Sequence, residues 1–175
     1  MSSVAVDVSL FPKTGQSGVK DRSREVLIKG ITSDSVMSSL HPRTGLHIGV
    51  QVLEDDGGLL SCAVNTTCLA LIDAGFAMKN LFAAVTVAVT ASCDIILDPD
   101  AARLRKAGVE SDIAVLTFSF ESRNCDVIAT HMEGHCSEAK FQEALSVAKE
   151  ASRSIFDFYK SVVAKKISKE NPNLT

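Results

Sequence analysis

The sequence predicts a mixed α/β domain of the α+β kind, in which strand–helix units are followed by a run of strands and a closing helix. Three observations carry this. Two short stretches alternate apolar and polar residues with the period of a strand. The segment from Gly58 to Ala74 is apolar on nearly every side, as in a helix buried between layers. From Ser137 to Ile167 apolar residues recur at helical spacing.

In order, Val4, Val6, Val8 and Leu10 alternate with Ala5, Asp7, Ser9 and Phe11, giving a strand with one apolar face. PKTGQSG, Pro12 to Gly18, is a loop. Asp21 to Leu40 reads as a helix, with Leu27, Ile31, Met37 and Leu40 on one broad face and Gly30 weakening it. HPRTG is a turn, and Leu46, Ile48, Val50 and Val52 mark a second strand. The Gly58–Ala74 helix ends at Gly75, which is free to turn left-handed. Leu81–Thr90, Asp94–Leu97, Asp112–Glu121 and Cys125–His131 read as four strands in two hairpins. Phe141, Leu145, Ala148, Ile155, Phe158 and Val162 line one face of the last helix. Lys165 and Lys166 sit in its final turn, where cations suit the helix dipole.

The chain has 175 residues, which suits one domain with a real core. Hydrophobic residues are 46% and charged residues 22%, a globular balance rather than a disordered one. Apolar runs are too short for a membrane span, and MSSVAVDVSLFPK lacks the pattern of a secretion signal. Net charge is −3, so a strongly basic, self-sufficient nucleic-acid binder is not expected. Cys62, Cys68, Cys93, Cys125 and Cys136 form an odd set without CxxC, pointing to free thiols in cytosol or nucleus.

HPRTGLHIGVQVLEDDGG, LALIDAG, DIILDPD, LTFSF and FDFYK occur in the order found in one family. On these motifs the chain resembles the RNase PH-like subunits of the RNA exosome, in particular the ribosomal RNA-processing protein 46 subfamily. The resemblance runs from about Val4 to Lys166. It implies an RNase PH-like domain of repeated strand–helix units, with mixed sheets packed on helices. It also implies a left-handed strand crossover, against the general rule. Family members carry further strands and a glycine-containing hairpin ahead of the stretch resembling VAVDVSLFPKTG. The expectation is therefore one domain over 1–170 without those strands, an open edge on its first sheet, and a frayed tail over 171–175.

Active members of the family cleave RNA from its 3′ end with inorganic phosphate. That chemistry needs anion donors, favourably at a helix N-terminus, basic groups for the RNA backbone, and a carboxylate. Gly57-Gly58 has the form of such a phosphate turn. In active members it is followed by Thr or Ser and then Arg, but here by Leu59 and Leu60, which donate nothing and suit packing. Active members carry two aspartates six residues apart. Asp112 matches the second, while Lys106 stands at the first. Asp112 thus reads either as a remnant of the acid site or as a polar residue starting a strand. Asp98 and Asp100 read as a turn opening.

Lys29 matches a position where active relatives place an RNA-contacting arginine. Lys20, Arg22 and Arg24 precede it, where cations oppose the helix dipole. They read either as an RNA-phosphate set or as a solvated start interleaved with Asp21 and Glu25. Arg43 is a turn residue that could line an RNA path. His131, His135, Cys125 and Cys136 lack zinc spacing, and no metal or cofactor is expected. Asn65-Thr66-Thr67 reads as a sequon made irrelevant by its buried helix. Cys62 and Cys68 read as buried thiols. Lys160, Lys165, Lys166 and Lys169 read as a basic helix end.

The resemblance implies a non-catalytic subunit of the exosome ring. Its partners would be other RNase PH-like and cap subunits and RNA bound without sequence preference, with no membrane role, in nucleus, nucleolus and cytoplasm. The alternative is a divergent nuclease acting alone or as a homodimer on RNA or DNA.

Overall fold

A computed structural model describes residues 4–90, 92–110 and 113–170. The elements run β1 (Ala5–Phe11), α1 (Val19–Ser35), β2 (Gly45–Gln51), α2 (Leu59–Asp73), β3 (Phe82–Val89), β4 (Ile95–Leu97), α3 (Ala101–Glu110), β5 (Ala114–Glu121), β6 (Val127–Glu133) and α4 (Glu138–Glu170). The mixed α/β class and both hairpins stand as the sequence implied.

β1 and β2 pair in parallel, with Val6 beside Leu46 and Leu10 beside Val50. The other strands form an antiparallel sheet in the order β4-β3-β5-β6. Along β1 the apolar Val6, Val8 and Leu10 point into the core, as the period of a strand requires. β3 is buried at every position, as befits an inner strand touched by both α2 and α4. One core joins Leu10, Ile28, Ile31, Val64, Phe82 and Tyr159. The other stacks Val87, Leu116, Phe118 and Phe120 against Ala144 and Ala148 of α4. Phe141 meets Phe118 edge-on at 5.4 Å, a favourable aromatic geometry.

Four expectations need correction. First, α1 ends at Ser35 rather than Leu40. Val36 turns extended and bridges Met78, and Lys79 N–H donates to the Ser35 carbonyl at 2.7 Å. A long-range pairing therefore stops a helix that its periodicity would continue. Second, the stretch after Asp100 is helical. Asp100 accepts from Arg103 N–H at 2.6 Å, an N-cap bond at the start of α3. Third, Cys62 is exposed; α2 is open along Cys62, Thr66 and Ala70. Fourth, Phe158 is 56% exposed rather than part of the core. Tyr159, next along α4, takes the inward position instead. The tail expected over 171–175 lies outside the described residues.

Gly75 does end α2 with positive φ, +67°, and its N–H donates to the Ile72 carbonyl at 3.1 Å.

Two buried acids make stability depend on alkaline pH. Burial pushes the Cys68 thiol up from 9.0 to about 11, opposed by a weaker hydrogen bond with the Phe82 backbone. Burial also raises the Tyr159 hydroxyl, with lesser contributions from Cys68 and Cys62. Both folded-state values lie above the unfolded ones, so the unfolded chain loses these protons first. The Cys68 contribution is complete below the ordinary thiol value of 9.0 and is lost as pH rises towards about 11, whereas that of Tyr159 begins to fall only above its ordinary value of 10.0. Urea midpoints should therefore fall across this window, and Cys68→Ala should flatten the fall. Equal slopes for the two proteins would contradict the Cys68 contribution.

Candidate functional site

The loop after β2 brings Asp55, Asp56, Gly57 and Gly58 to the N-terminus of α2. Gly57 adopts φ +113°, a conformation that L side chains rarely enter. A β-carbon there would lie 2.5 Å from the Pro99 carbonyl oxygen and 3.1 Å from Ala101 N. The tight turn therefore also seats the start of α3 against α2.

Carboxylates of the chain already stand at this turn. Gly57 N–H donates to Asp55 Oδ1 at 3.0 Å. Asp56 Oδ1 accepts from Ala101 N–H at 3.2 Å, tying the loop to α3. A β-carbon on Gly58 would meet Asp98 Oδ1 at 3.3 Å, so a third carboxylate stands beside the same helix end. The nearby hydroxyls point at one another. Ser61 Oγ donates to the Gly58 carbonyl at 2.9 Å, and Thr86 Oγ1 donates to Ser61 Oγ at 2.9 Å. Thr86 and Thr117 lie 3.1 Å apart. With the Thr86 proton on Ser61, Thr117 is the donor of that pair. Leu60 is 6% exposed and packs in the core, and Leu59 is half-buried against it. Both leucines are packing residues, as their chemistry suggested.

A cavity of about 310 Å³ opens beside this turn, and Leu59, Leu60, Arg24, Arg105, His131 and Glu133 help to line it. Of the α1 cations, Arg24 alone is among its lining residues. Its Nη1 lies 3.4 Å from Asp21 Oδ1, while Asp21 Oδ2 accepts from Gly18 N–H at 2.9 Å. Asp21 thus offsets the unfavourable placement of cations at this helix start. Lys20 pairs at 3.8 Å with Glu133, in an exposed contact of little energetic weight. Arg22 and Lys29 face outward. Arg43, at φ +61°, precedes β2 and sits a strand length, ~20 Å, from the loop that follows it.

Arg105 was not singled out in the sequence, because only α3 brings it to the cavity. His131 also lines it, with Nε2 3.6 Å from Glu133 Oε1. Asp100 caps α3 and Asp98 occupies the turn before it, in line with the turn reading of LDPD. Asp112 lies outside the described residues, and so does the side chain of Lys106. Among the described residues, no three His, Cys, Asp or Glu side chains converge as a metal site.

Asn65, which the sequence offers only as part of a sequon, holds a sheet edge. Its Nδ2 donates to the Ala84 carbonyl at 2.9 Å, its Oδ1 accepts from Ala84 N–H at 2.7 Å, and Tyr159 Oη donates to Oδ1 at 3.1 Å. β4 pairs with β3 only over Val87–Val89, and Asp98 N–H adds a bond to the Thr86 carbonyl. The Asn65 amide continues that edge at Ala84 in place of a strand. A lone amide in an apolar helix is the one sequence signal of such a partner.

The family model for RNase PH, described as "3' exoribonuclease family, domain 1", matches residues 2–77. A protein named exosome complex exonuclease RRP46 homolog, from Arabidopsis thaliana, is 36% identical over 89 residues, 51% of this chain and 37% of that protein. The exosome complex component RRP46 homolog of Caenorhabditis elegans is 28% identical over 142 residues, 81% of this chain and 65% of that protein. This chain thus spans less than two thirds of either relative. The crystal structure of rice Rrp46 superposes with a TM-score of 0.85 at 27% identity, covering 93% of this chain and 75% of that one. The match over residues 2–77 and a fold shared with rice Rrp46 over nearly the whole length identify an RNase PH-like domain in this chain.

Proposed function

We propose that the chain is a non-catalytic subunit of an RNA exosome ring, supporting 3′-to-5′ RNA processing and degradation from nucleus, nucleolus and cytoplasm. One observation carries the non-catalytic reading. The helix N-terminus that would hold inorganic phosphate is packed with Leu59 and Leu60 and ringed by Asp55, Asp56 and Asp98. Carboxylates beside a helix N-terminus take the favourable place of an anion and repel another. The relatives named as exosome RRP46 proteins supply the choice of assembly, in which neighbouring RNase PH-like and cap subunits would be its partners.

In this role RNA contacts are to backbone phosphate. Arg24 and Arg105 line the cavity, and Arg22 and Lys29 stand exposed on α1. Binding should weaken steeply with salt and show little sequence preference. The test is an RNA-shortening assay on the purified chain with and without inorganic phosphate. No phosphate-dependent product is expected. Phosphorolysis that survives repurification and is lost in Asp112→Asn would overturn the reading.

A further inference from the structure

A second, larger groove of about 870 Å³ lies between α2 and α4, over the part of β3 that Asn65 borders. Its walls combine large apolar side chains with Asn65, Thr66 and Ser154. Leu69 of α2 faces Ile155 and Phe158 of α4, and Leu97 closes the β4 side. Two of these are large and open to solvent: Phe158 at 56% and Leu97 at 42%. An exposed aromatic beside a concave apolar wall is the usual form of an anchor-receiving surface.

The other end of the groove is acidic. Glu54, Asp55, Asp56, Asp98 and Asp100 line it, and no Lys, Arg or His does so among the described residues. Among the described residues, Arg103, 3.6 Å from Asp100, is the one salt-bridge partner of these carboxylates. This charge excludes a phosphate backbone and favours cations. The surface therefore combines an apolar cleft with a carboxylate rim, complementary to an apolar anchor flanked by basic residues.

We infer that the α2–α4 groove docks a basic amphipathic segment of a partner protein, seating an aromatic or aliphatic side chain against Phe158 and its Lys or Arg neighbours on the Glu54–Asp56 and Asp98–Asp100 rim. This goes beyond the ring role and does not require it: the groove shares the carboxylates of the glycine turn, but the docking rests on their charge beside the apolar cleft and not on the loss of phosphate binding.

The test is selection of random twelve-residue peptides displayed on phage against the full chain, followed by fluorescence polarisation of the enriched peptides. Two variants read the two ends of the groove: Phe158→Ala, at a side chain mostly in solvent, and Glu54→Lys, on the exposed loop. Circular dichroism confirms that each is folded. Enriched peptides should join a large apolar residue to two or more Lys or Arg, and each variant should weaken binding tenfold or more. Added salt should mimic the effect of Glu54→Lys. Failure to enrich, acidic consensus peptides, or binding unchanged in both variants would overturn the inference. Displacement of the peptide by an unstructured RNA oligomer would also overturn it, reassigning the groove to nucleic acid. Neither result would touch the phosphorolysis assay.

Discussion

Gly57→Ala should destabilise the fold by about 3 kcal/mol and loosen α3 from α2. The cause is double. The native φ of +113° is closed to alanine, and the new methyl would press on the Pro99 carbonyl, Ala101 N and Leu104 Cδ1. Two of these atoms are backbone, so the clash is relieved only by moving the chain. Gly30→Ala is the internal control. It lies within α1 with nothing within 4 Å of a new β-carbon, and alanine there should stabilise by ~0.5–1 kcal/mol. Urea denaturation of the three proteins measures both changes. A Gly57→Ala protein as stable as the parent would show that the turn is not required as described.

Asn65→Ala should cost about 2–4 kcal/mol, because it strips partners from two backbone groups and leaves the Tyr159 hydroxyl only its longer contact with the Asn65 carbonyl. Ala84 loses both its donor's acceptor and its acceptor's donor, and Tyr159 loses Oδ1. Tyr159→Phe removes one of these bonds and should cost about 1 kcal/mol. Hydrogen exchange at the Ala84 amide gives the local reading. It should accelerate strongly in Asn65→Ala and little in Tyr159→Phe. Unchanged protection at Ala84 in Asn65→Ala would mean that the amide does not hold this edge.

These two positions mark the limits of what local pattern reveals. β1, β2 and α4 were legible because each buries one face against a layer and so imprints a period on the sequence; α2 was legible from its nearly unbroken apolar composition, which hid the open face along Cys62, Thr66 and Ala70. The DDGG turn was legible as well, and so was the packing role of Leu59 and Leu60, since leucine can do little else at a helix start. The end of α1 was not, because it depends on Val36 meeting Met78, 42 residues downstream by their numbers. α3 was missed although Asp100 offers a cap, because Gly108 and the mixed RKAGVES composition hid a short helix. Arg105 was missed with it, since its place in the cavity exists only once α3 does. Phe158 was assigned to the core by a helical period that Phe156 and Tyr159 in fact satisfy. A period can place a face within one residue, and here that residue decides between core and solvent. The partner of Asp56, the Ala101 N–H, lies 45 residues along the chain and leaves no trace in the spacing.

The central claim is that this RNase PH-like domain acts as a part of a ring and not as an enzyme by itself. Native mass spectrometry of the full chain, tagged at its C-terminus and recovered from cells, tests it most directly. The account predicts a stoichiometric heteromer containing further RNase PH-like subunits and cap subunits. A homodimer or lone monomer, with phosphate-dependent RNA shortening in the same sample, would contradict it.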